Sequence, residues 1–325
     1  MKSFEYAAPA TIKEAAALLG DRWGDTELLA GGTDLVTCLK QDIAAPRRVV
    51  SLRKIPELRG IKTDKNTVTI GAMTTLGELI ADAGVRQHFS SLTTAALNIS
   101  SPQILAMGTV GGDLCQRPRC WYFRNGHGLF GTDGKTSLVR EGDNRYHALY
   151  GTDGPALFVS ASSLGPALIA LDATITAAGP KGKTRKIPAA AFFHAPRSET
   201  EREITLKPNE VLVSVSIPLK GLKNETYEVR HRYGLDWPYV TATVAFGEKN
   251  GSITDARVVL GHVAATPWAS AAAARLLNGS RADENAAVKC GEAAVMDARP
   301  LSGNSYKIQL VKTAVKRAIL AARAA

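Results

Sequence analysis

The 325-residue chain exceeds one typical domain, so two or three folded units are expected, and an apolar fraction of 45% is enough to fill their cores. A net charge of +10 suits an anionic ligand or partner without naming one. The Lys and Arg residues are scattered, with no dense basic run and no nucleic-acid motif, which argues against DNA or RNA as a partner.

Four cysteines at uneven spacing (Cys38, Cys115, Cys120 and Cys290) make no disulfide framework and fit a reducing compartment. Glu5, Lys13 and Glu14 interrupt the N-terminal segment, so no secretory signal core is expected. The uncharged run over residues 154–171 is broken by prolines and glycines, so no membrane span is expected there. These features predict a cytoplasmic protein, or a periplasmic one if it is exported with a signal-bearing partner.

In chain order, Thr11-Ile12-Lys13-Glu14 has a capping-box pattern and predicts a helix over 15–19 stopped at Gly20. Strands are expected at Thr26–Leu29 and at 48–52, closing a small α/β unit near Pro56. A strand at Thr67–Gly71 leads into a second capping box, Thr75 to Glu78, with a helix through Asp82. Another helix is expected over 92–98. Residues 125–145 are polar and glycine-rich and read as a surface loop or insertion.

Apolar density over 167–177 predicts a strand, Pro188 opens a short helix to Phe193, and the alternation at 211–217 predicts another strand. Residues 218–224 read as a linker that holds the domain boundary. Beyond it, strands are expected at 226–233, 240–246 and 256–263, with Asn250-Gly251 as a turn. Helices follow at 268–277, 284–298 and 306–324, which makes an α+β unit.

Two stretches carry the chemistry. Leu29-Ala30-Gly31-Gly32-Thr33-Asp34-Leu35 ends the strand at Thr26–Leu29, and Gly108-Thr109-Val110-Gly111-Gly112-Asp113 follows the helix expected over 92–98. Glycine lets a backbone approach a bound group because no Cβ intervenes, and successive N–H groups in such a turn can converge on a phosphate. Thr109 adds a hydroxyl, and Asp113 is placed to hold the loop or a ribose hydroxyl. The plainer reading makes each pair a tight turn. Two Gly-Gly turns, each followed closely by Asp, suit a pyrophosphate gripped from two sides. Neither is a G-x-G-x-x-G fingerprint and neither is a P-loop.

AGGTDL, then TTLGELI over 74–80, then MGTVGGDLCQRPRCWYFR together resemble the FAD-binding medium subunit of the molybdenum hydroxylases. That family includes xanthine dehydrogenase, carbon monoxide dehydrogenase and bacterial aldehyde oxidoreductases, and CQRPRCWYFR most resembles the last branch. The resemblance resumes at 144–173, 210–218 and PLSGNSYKIQLVKTAVKRAIL, so it spans nearly the whole chain. It implies a vanillyl-alcohol-oxidase-like (PCMH-type) FAD-binding domain over residues 1–222, in two α/β subdomains split near 56. The family's C-terminal domain is implied over 223–325, an antiparallel three-stranded sheet with three helices.

The resemblance places FAD against Leu29, Ala30, Gly31, Gly32, Thr33, Asp34 and Leu35, and against Thr109, Gly111, Gly112 and Asp113. Cys115 joins the set by position. Leu212 matches a site near the adenine. Relatives often carry Asp in the segment written here Ser162-Ser163-Leu164-Gly165-Pro166, where it bonds the ribose or adenine side; Ser163 retains one hydrogen bond and no charge. Relatives also often carry Lys near the flavin edge where this chain has Glu228, which opposes a reduced anionic flavin, while Arg230 compensates.

Some relatives with CWYFR hold a [4Fe–4S] cluster using cysteines in the next loop. Here that loop has none, so no such cluster is expected, and Cys115 and Cys120 read as small buried side chains. Trp121, Tyr122 and Phe123 face either the isoalloxazine or the core. No histidine pair has metal spacing and no nucleophile motif occurs, so neither a metal site nor a catalytic residue is assigned. The family role implied is electron transfer through FAD, with molybdopterin on a large partner subunit and [2Fe–2S] clusters on a small one. The alternatives are a self-contained flavin oxidase, which lacks an evident acid–base pair here, and an assembly subunit that has lost its cofactor.

Overall fold

The computed structural model describes residues 1–99, 101–231 and 236–324. The end of the strand expected over 226–233 therefore lies outside the described residues. The fold mixes helices with one parallel and two larger antiparallel sheets.

The N-terminal sheet is parallel, with Arg48–Ser51 between Glu5–Ala7 and Thr26–Leu29. Helix Ile12–Leu18 packs on it through Ala15 and Ala16, in a core with Val50, Leu52, Ile55 and Leu58. At its start Thr11 Oγ1 accepts from the Glu14 N–H at 3.2 Å, but Glu14 reaches back to the N–H of Ala10 at 2.9 Å rather than that of Thr11. The second capping box is complete: Thr75 N–H donates to Glu78 Oε2 at 2.7 Å, and Glu78 N–H to Thr75 Oγ1 at 3.1 Å.

A five-stranded antiparallel sheet follows, in the order Ile61–Thr63, Thr67–Gly71, Val211–Pro218, Thr174–Ala178, Thr184–Pro188. Val211–Pro218 is its centre, and its alternate residues Val215 and Ile217 are fully buried. The single strand expected over 167–177 is instead helix Gly165–Ala170 and strand Thr174–Ala178, joined at Asp172 with φ +56°. Pro166 in the first turn favours a helix start, and the apolar run fills a helix face before it fills a strand.

Residues 125–145 are folded rather than a free loop. They hold a hairpin, Thr132–Asp133 with Thr136–Ser137, and helix Leu138–Glu141. The Glu199 carboxylate staples the segment by accepting from the N–H groups of Leu129 and Phe130.

The C-terminal sheet has four antiparallel strands, not three: Lys223–Val229, Val240–Lys249, Ser252–Gly261 and the short Trp268–Ala269. Trp268 pairs with Leu260, so the first of the three helices begins after it, at Ala271–Leu277, followed by Glu284–Ala294 and Lys307–Ala324. Val244, Leu260, Val311, Val315 and Ile319 form the core between sheet and helices. Leu149 and Tyr150 reach into that core from the segment after the insertion.

Candidate functional site

The first glycine loop leaves strand Thr26–Leu29 and ends at helix Leu35–Lys40. A Cβ on Gly31 would lie 1.7 Å from the Met107 carbonyl oxygen, and Gly32 has φ +79°, so neither position admits another residue without rearrangement. The N–H groups of Gly31, Gly32, Thr33 and Asp34 are engaged by no acceptor among the described residues. Four adjacent donors thus face a cleft lined by Ala30, Gly31, Gly32, Thr33, Asp34 and Leu35. Leu29 lies outside that lining. Its side chain packs behind Gly32, and Leu28 lines the cleft instead.

Asp34 occupies the N-cap position of the helix but makes no capping bond. Its carboxylate accepts from the Arg117 N–H at 2.8 Å and from Arg124 Nη2 at 2.9 Å, and pairs with Arg119 Nη1 at 3.1 Å. Burial acts to raise its pKa, but the Arg119 and Arg124 charges and the Arg117 N–H hold it below the ordinary carboxylate value. Asp34 therefore anchors the Gln116–Arg124 stretch to the first loop. Arg117 continues the lattice to Glu203 at 3.1 Å.

The second glycine pair is not in a loop. It sits in the first turn of helix Val110–Cys115, where Thr109 is the N-cap. Gly112 N–H donates to Thr109 Oγ1 at 3.1 Å, Gly111 N–H to the Ala72 carbonyl at 2.8 Å, Val110 N–H to that of Thr74 at 3.0 Å, and Asp113 N–H to that of Thr109 at 2.9 Å. The expectation that these amides present themselves to a phosphate is corrected, because each is already engaged within the chain, whereas Thr109 Oγ1 is engaged only as an acceptor and its O–H meets no acceptor among the described residues. What remains open is the face of Gly112, where an added Cβ would meet only Thr109 Oγ1 at 3.0 Å.

Asp113 holds the neighbouring turn, the first of its two expected roles. Ser162 Oγ donates to it at 2.5 Å, and the N–H groups of Ser163 and Leu164 at 3.1 and 3.0 Å. Burial pushes its carboxyl pKa up against the pull of these donors.

The cleft runs as a trough across Gly112. One compartment, about 160 Å³, has an apolar end made by Trp23, Leu28, Leu52, Leu206 and Leu212. Cys115 also lines it, its thiol pushed up to about 12 by burial. The other compartment, about 250 Å³, is lined by Ile99, Ile104, Ser163 and Glu228. Thr33, Asp34, Thr109, Gly112 and Gln116 border both. Ser163 and Leu212, both expected toward the adenine or its ribose, thus fall on opposite sides of the glycine pair. The Ser163 hydroxyl has no partner among the described residues.

Glu228 pairs with Arg230 Nε at 2.8 Å, and its side chain is 5% exposed. Burial raises its pKa to about 7, with Arg230 pulling the other way. Of the aromatic triplet, Phe123 is core, Tyr122 donates to the Asp143 carbonyl at 3.2 Å, and Trp121 faces a further chamber.

Trp23, with the Arg202 guanidinium 4.8 Å over its ring, and the segment Asp236-Trp237-Pro238 were not marked in the sequence. No local pattern distinguishes them. No group of three or more His, Cys, Asp or Glu side chains that could hold a metal ion occurs among the described residues. Nor is any helix among them long and apolar enough to cross a membrane.

Comparison with known proteins fits this geometry. Residues 2–220 match the family described as the FAD binding domain in molybdopterin dehydrogenase, and residues 225–322 the CO dehydrogenase flavoprotein C-terminal domain. The chain is 31% identical over 328 residues to the FAD-binding subunit of an aldehyde oxidoreductase of Escherichia coli K12, covering 100% of this chain and 99% of that protein. It is 31% identical to the carbon monoxide dehydrogenase medium chain of Hydrogenophaga pseudoflava, covering 98% and 96%. A solved structure of carbon monoxide dehydrogenase from that organism superposes with a TM-score of 0.78 at 30% identity, covering 99% of this chain and 98% of that one. The chain therefore belongs to the FAD-binding medium subunits of the molybdenum hydroxylases, a family of oxidoreductases.

Proposed function

We propose that this chain is the FAD-carrying electron-transfer subunit of a heteromeric molybdenum hydroxylase of the aldehyde or xanthine type. Electrons from [2Fe–2S] clusters on a small partner subunit reach the flavin here and leave to a final acceptor. A large partner subunit carries the molybdopterin. No residue of this chain is assigned a catalytic step, because the redox chemistry is supplied by the flavin when bound. A cytoplasmic complex is the simplest setting, with periplasmic export alongside a signal-bearing partner as the alternative.

The observation that carries this reading is the row of four N–H groups from Gly31 to Asp34, unengaged among the described residues and facing a trough that Gly112 leaves open. Such a row fits a pyrophosphate. Leu212, with Trp23 and Leu28, offers an apolar surface for the adenine, and Leu35 and Cys115 complete that compartment. Ser163 supplies a hydroxyl, and Glu228 borders the flavin end, protonated in part near neutral pH. Gly111 and Asp113 fix the turn through their N–H groups while lining the trough, and Thr109 borders both compartments with an O–H that its cap bond does not use.

We read residues 1–222 as a PCMH-type FAD-binding domain in two subdomains split near 56, and 223–325 as the C-terminal domain. The change of sheet between Val211–Pro218 and Lys223–Val229 supports that division.

The test is a flavin assay followed by stopped-flow reduction. The full chain should bind one FAD, show a flavin spectrum with no iron, and be reduced by an aldehyde or purine only when its partners are present. Rapid reduction of the lone chain by such a substrate would favour a self-contained oxidase. A colourless chain that does not take up FAD would favour the assembly subunit.

A further inference from the structure

Strand Thr26–Leu29, which feeds the first glycine loop, also sets a carboxylate into the compartment with the apolar end. Three carboxylates border that compartment, those of Glu27, Asp34 and Glu210, and two of them are committed. Asp34 holds Arg117, Arg119 and Arg124. Glu210 accepts from Arg185 Nε and Nη2 and from the Lys207 N–H, each at 2.8 Å. Glu27 accepts no hydrogen bond from any described residue, although its side chain is only 18% exposed. Its ionic neighbour is Arg202, whose Nη1 lies 3.7 Å from Glu27 Oε1, too far for a hydrogen bond.

Arg202 lines the same compartment and is as poorly served. Its side chain is 8% exposed. Nε reaches Glu203 Oε2 at 3.4 Å and Nη2 the Cys115 carbonyl at 3.5 Å, while Nη1 has no acceptor within hydrogen-bond distance among the described residues. The Trp23 ring, 4.8 Å from the guanidinium, holds its plane. Buried charges normally make short, charge-assisted bonds. An unmet acceptor and an unmet donor side by side therefore call for a ligand edge that carries one of each.

We infer that Glu27 and Arg202 read the base of the bound dinucleotide, the Glu27 carboxylate accepting from the 6-amino group of adenine and Arg202 Nη1 donating to a ring nitrogen beside it. The chemistry of the base fixes which group meets which. Adenine has one donor, its amino group, and its free ring nitrogens only accept, so a carboxylate can meet the amino group alone. The apolar side chains of Leu28, Leu52, Leu206 and Leu212 would take any flat base. Discrimination comes from the polar edge, because a base without the amino group leaves a desolvated carboxylate unmet. The inference rests on the assignment of the trough to FAD, with the adenine at its apolar end.

The test uses the full chain freed of flavin, with dissociation constants read from flavin fluorescence. The ligands are FAD and its purine analogue, identical except that hydrogen replaces the 6-amino group. The parent chain should bind the analogue about tenfold more weakly or worse, the loss expected when a hydrogen bond to a charged group goes unmade. This comparison needs no variant. In Glu27→Ala the ratio should fall to about one, because the amino group has lost its partner. A purely structural role for Glu27 would weaken both ligands alike and leave the ratio as in the parent. Of the FAD analogues with carbon at ring position 1 or 7, one should bind the parent about tenfold more weakly than FAD. If both bind as FAD does, the part given to Arg202 is overturned. Equal binding of FAD and the purine analogue by the parent overturns the inference and leaves the trough assignment standing. Failure to bind either dinucleotide sinks the trough assignment and the inference with it.

Discussion

At Gly31-Gly32 the chain turns outside any regular element and leaves the N–H groups from Gly31 to Asp34 unengaged among the described residues. At Gly111-Gly112 it is already helical, and the N–H groups from Val110 to Asp113 all find acceptors. The difference lies in the capping residue. Thr109 turns its hydroxyl onto its own helix, whereas the Asp34 carboxylate is drawn off by Arg117, Arg119 and Arg124 and caps nothing. One glycine pair presents donors and the other presents bare backbone surface. The two sides of the proposed pyrophosphate site therefore need not do the same work, although the residues look alike.

Gly31→Ala should do the most damage, because its Cβ would fall 1.7 Å from the Met107 carbonyl oxygen, and backbone on both sides must move. The expected loss is about 3 kcal/mol or more, the upper end for overpacking. Urea unfolding of the variant checks this. A midpoint equal to that of the parent would mean that the first loop is not held against the Met107 corner.

Asp34→Asn comes next. It leaves Arg119 and Arg124 without their carboxylate, which costs about 2–3 kcal/mol once the partial exposure of the cluster is allowed for. Because the folded pKa of Asp34 is lowered, its contribution is present above the unfolded value near 4 and is lost as pH falls through the folded value. Asp113 behaves oppositely. Its folded pKa is raised, so burial of the charged form costs stability as pH rises through that value. Unfolding measured from pH 3 to pH 7 should thus show a smaller rise with pH in Asp34→Asn and a larger one in Asp113→Asn. Parallel curves for both variants would erase the distinction between the two carboxylates.

Gly112→Val tests the bare surface. An added Cβ would meet only Thr109 Oγ1, at 3.0 Å, so the fold should survive while the trough narrows. FAD affinity should fall at least tenfold, about 1.4 kcal/mol. Flavin retained in full through gel filtration would show that nothing is bound against this face.

Some of this was legible before any coordinates. The Thr75–Glu78 box, the Thr26–Leu29 and Thr67–Gly71 strands and the three C-terminal helices follow from local patterns that tertiary packing reinforces. The helix through Gly111 and Gly112 was not legible, because glycine is a poor helix former and the turn is held by distant carbonyls at Ala72 and Thr74. The diversion of Asp34 was hidden for the same reason, since its arginine partners lie more than 80 residues away in sequence. Still less visible was the chamber that Trp121 faces. His147, Trp237, Tyr239 and His262 come from separate segments, and no spacing in the chain announces that they meet.

The smallest expected effect separates the loops most sharply. In the sequence Thr109 reads as a hydroxyl offered to a phosphate; in the structure Thr109 Oγ1 accepts from Gly112 N–H at 3.1 Å and caps its helix, and the hydroxyl borders both compartments. Thr109→Val keeps the shape and removes that acceptor. Loss of an N-cap costs about 1 kcal/mol, so a small drop in unfolding free energy is expected. The cap uses Thr109 Oγ1 only as an acceptor and its O–H borders the trough, so FAD affinity should fall about fivefold, a neutral hydrogen bond being worth about 1 kcal/mol. The change also frees the Gly112 N–H, which would then stand beside the bare face and could only add a donor to the trough. Affinity measured by flavin fluorescence on apo-protein, alongside urea unfolding, reads both quantities on one preparation. FAD affinity unchanged alongside the drop in stability would show that the Thr109 hydroxyl serves its helix alone.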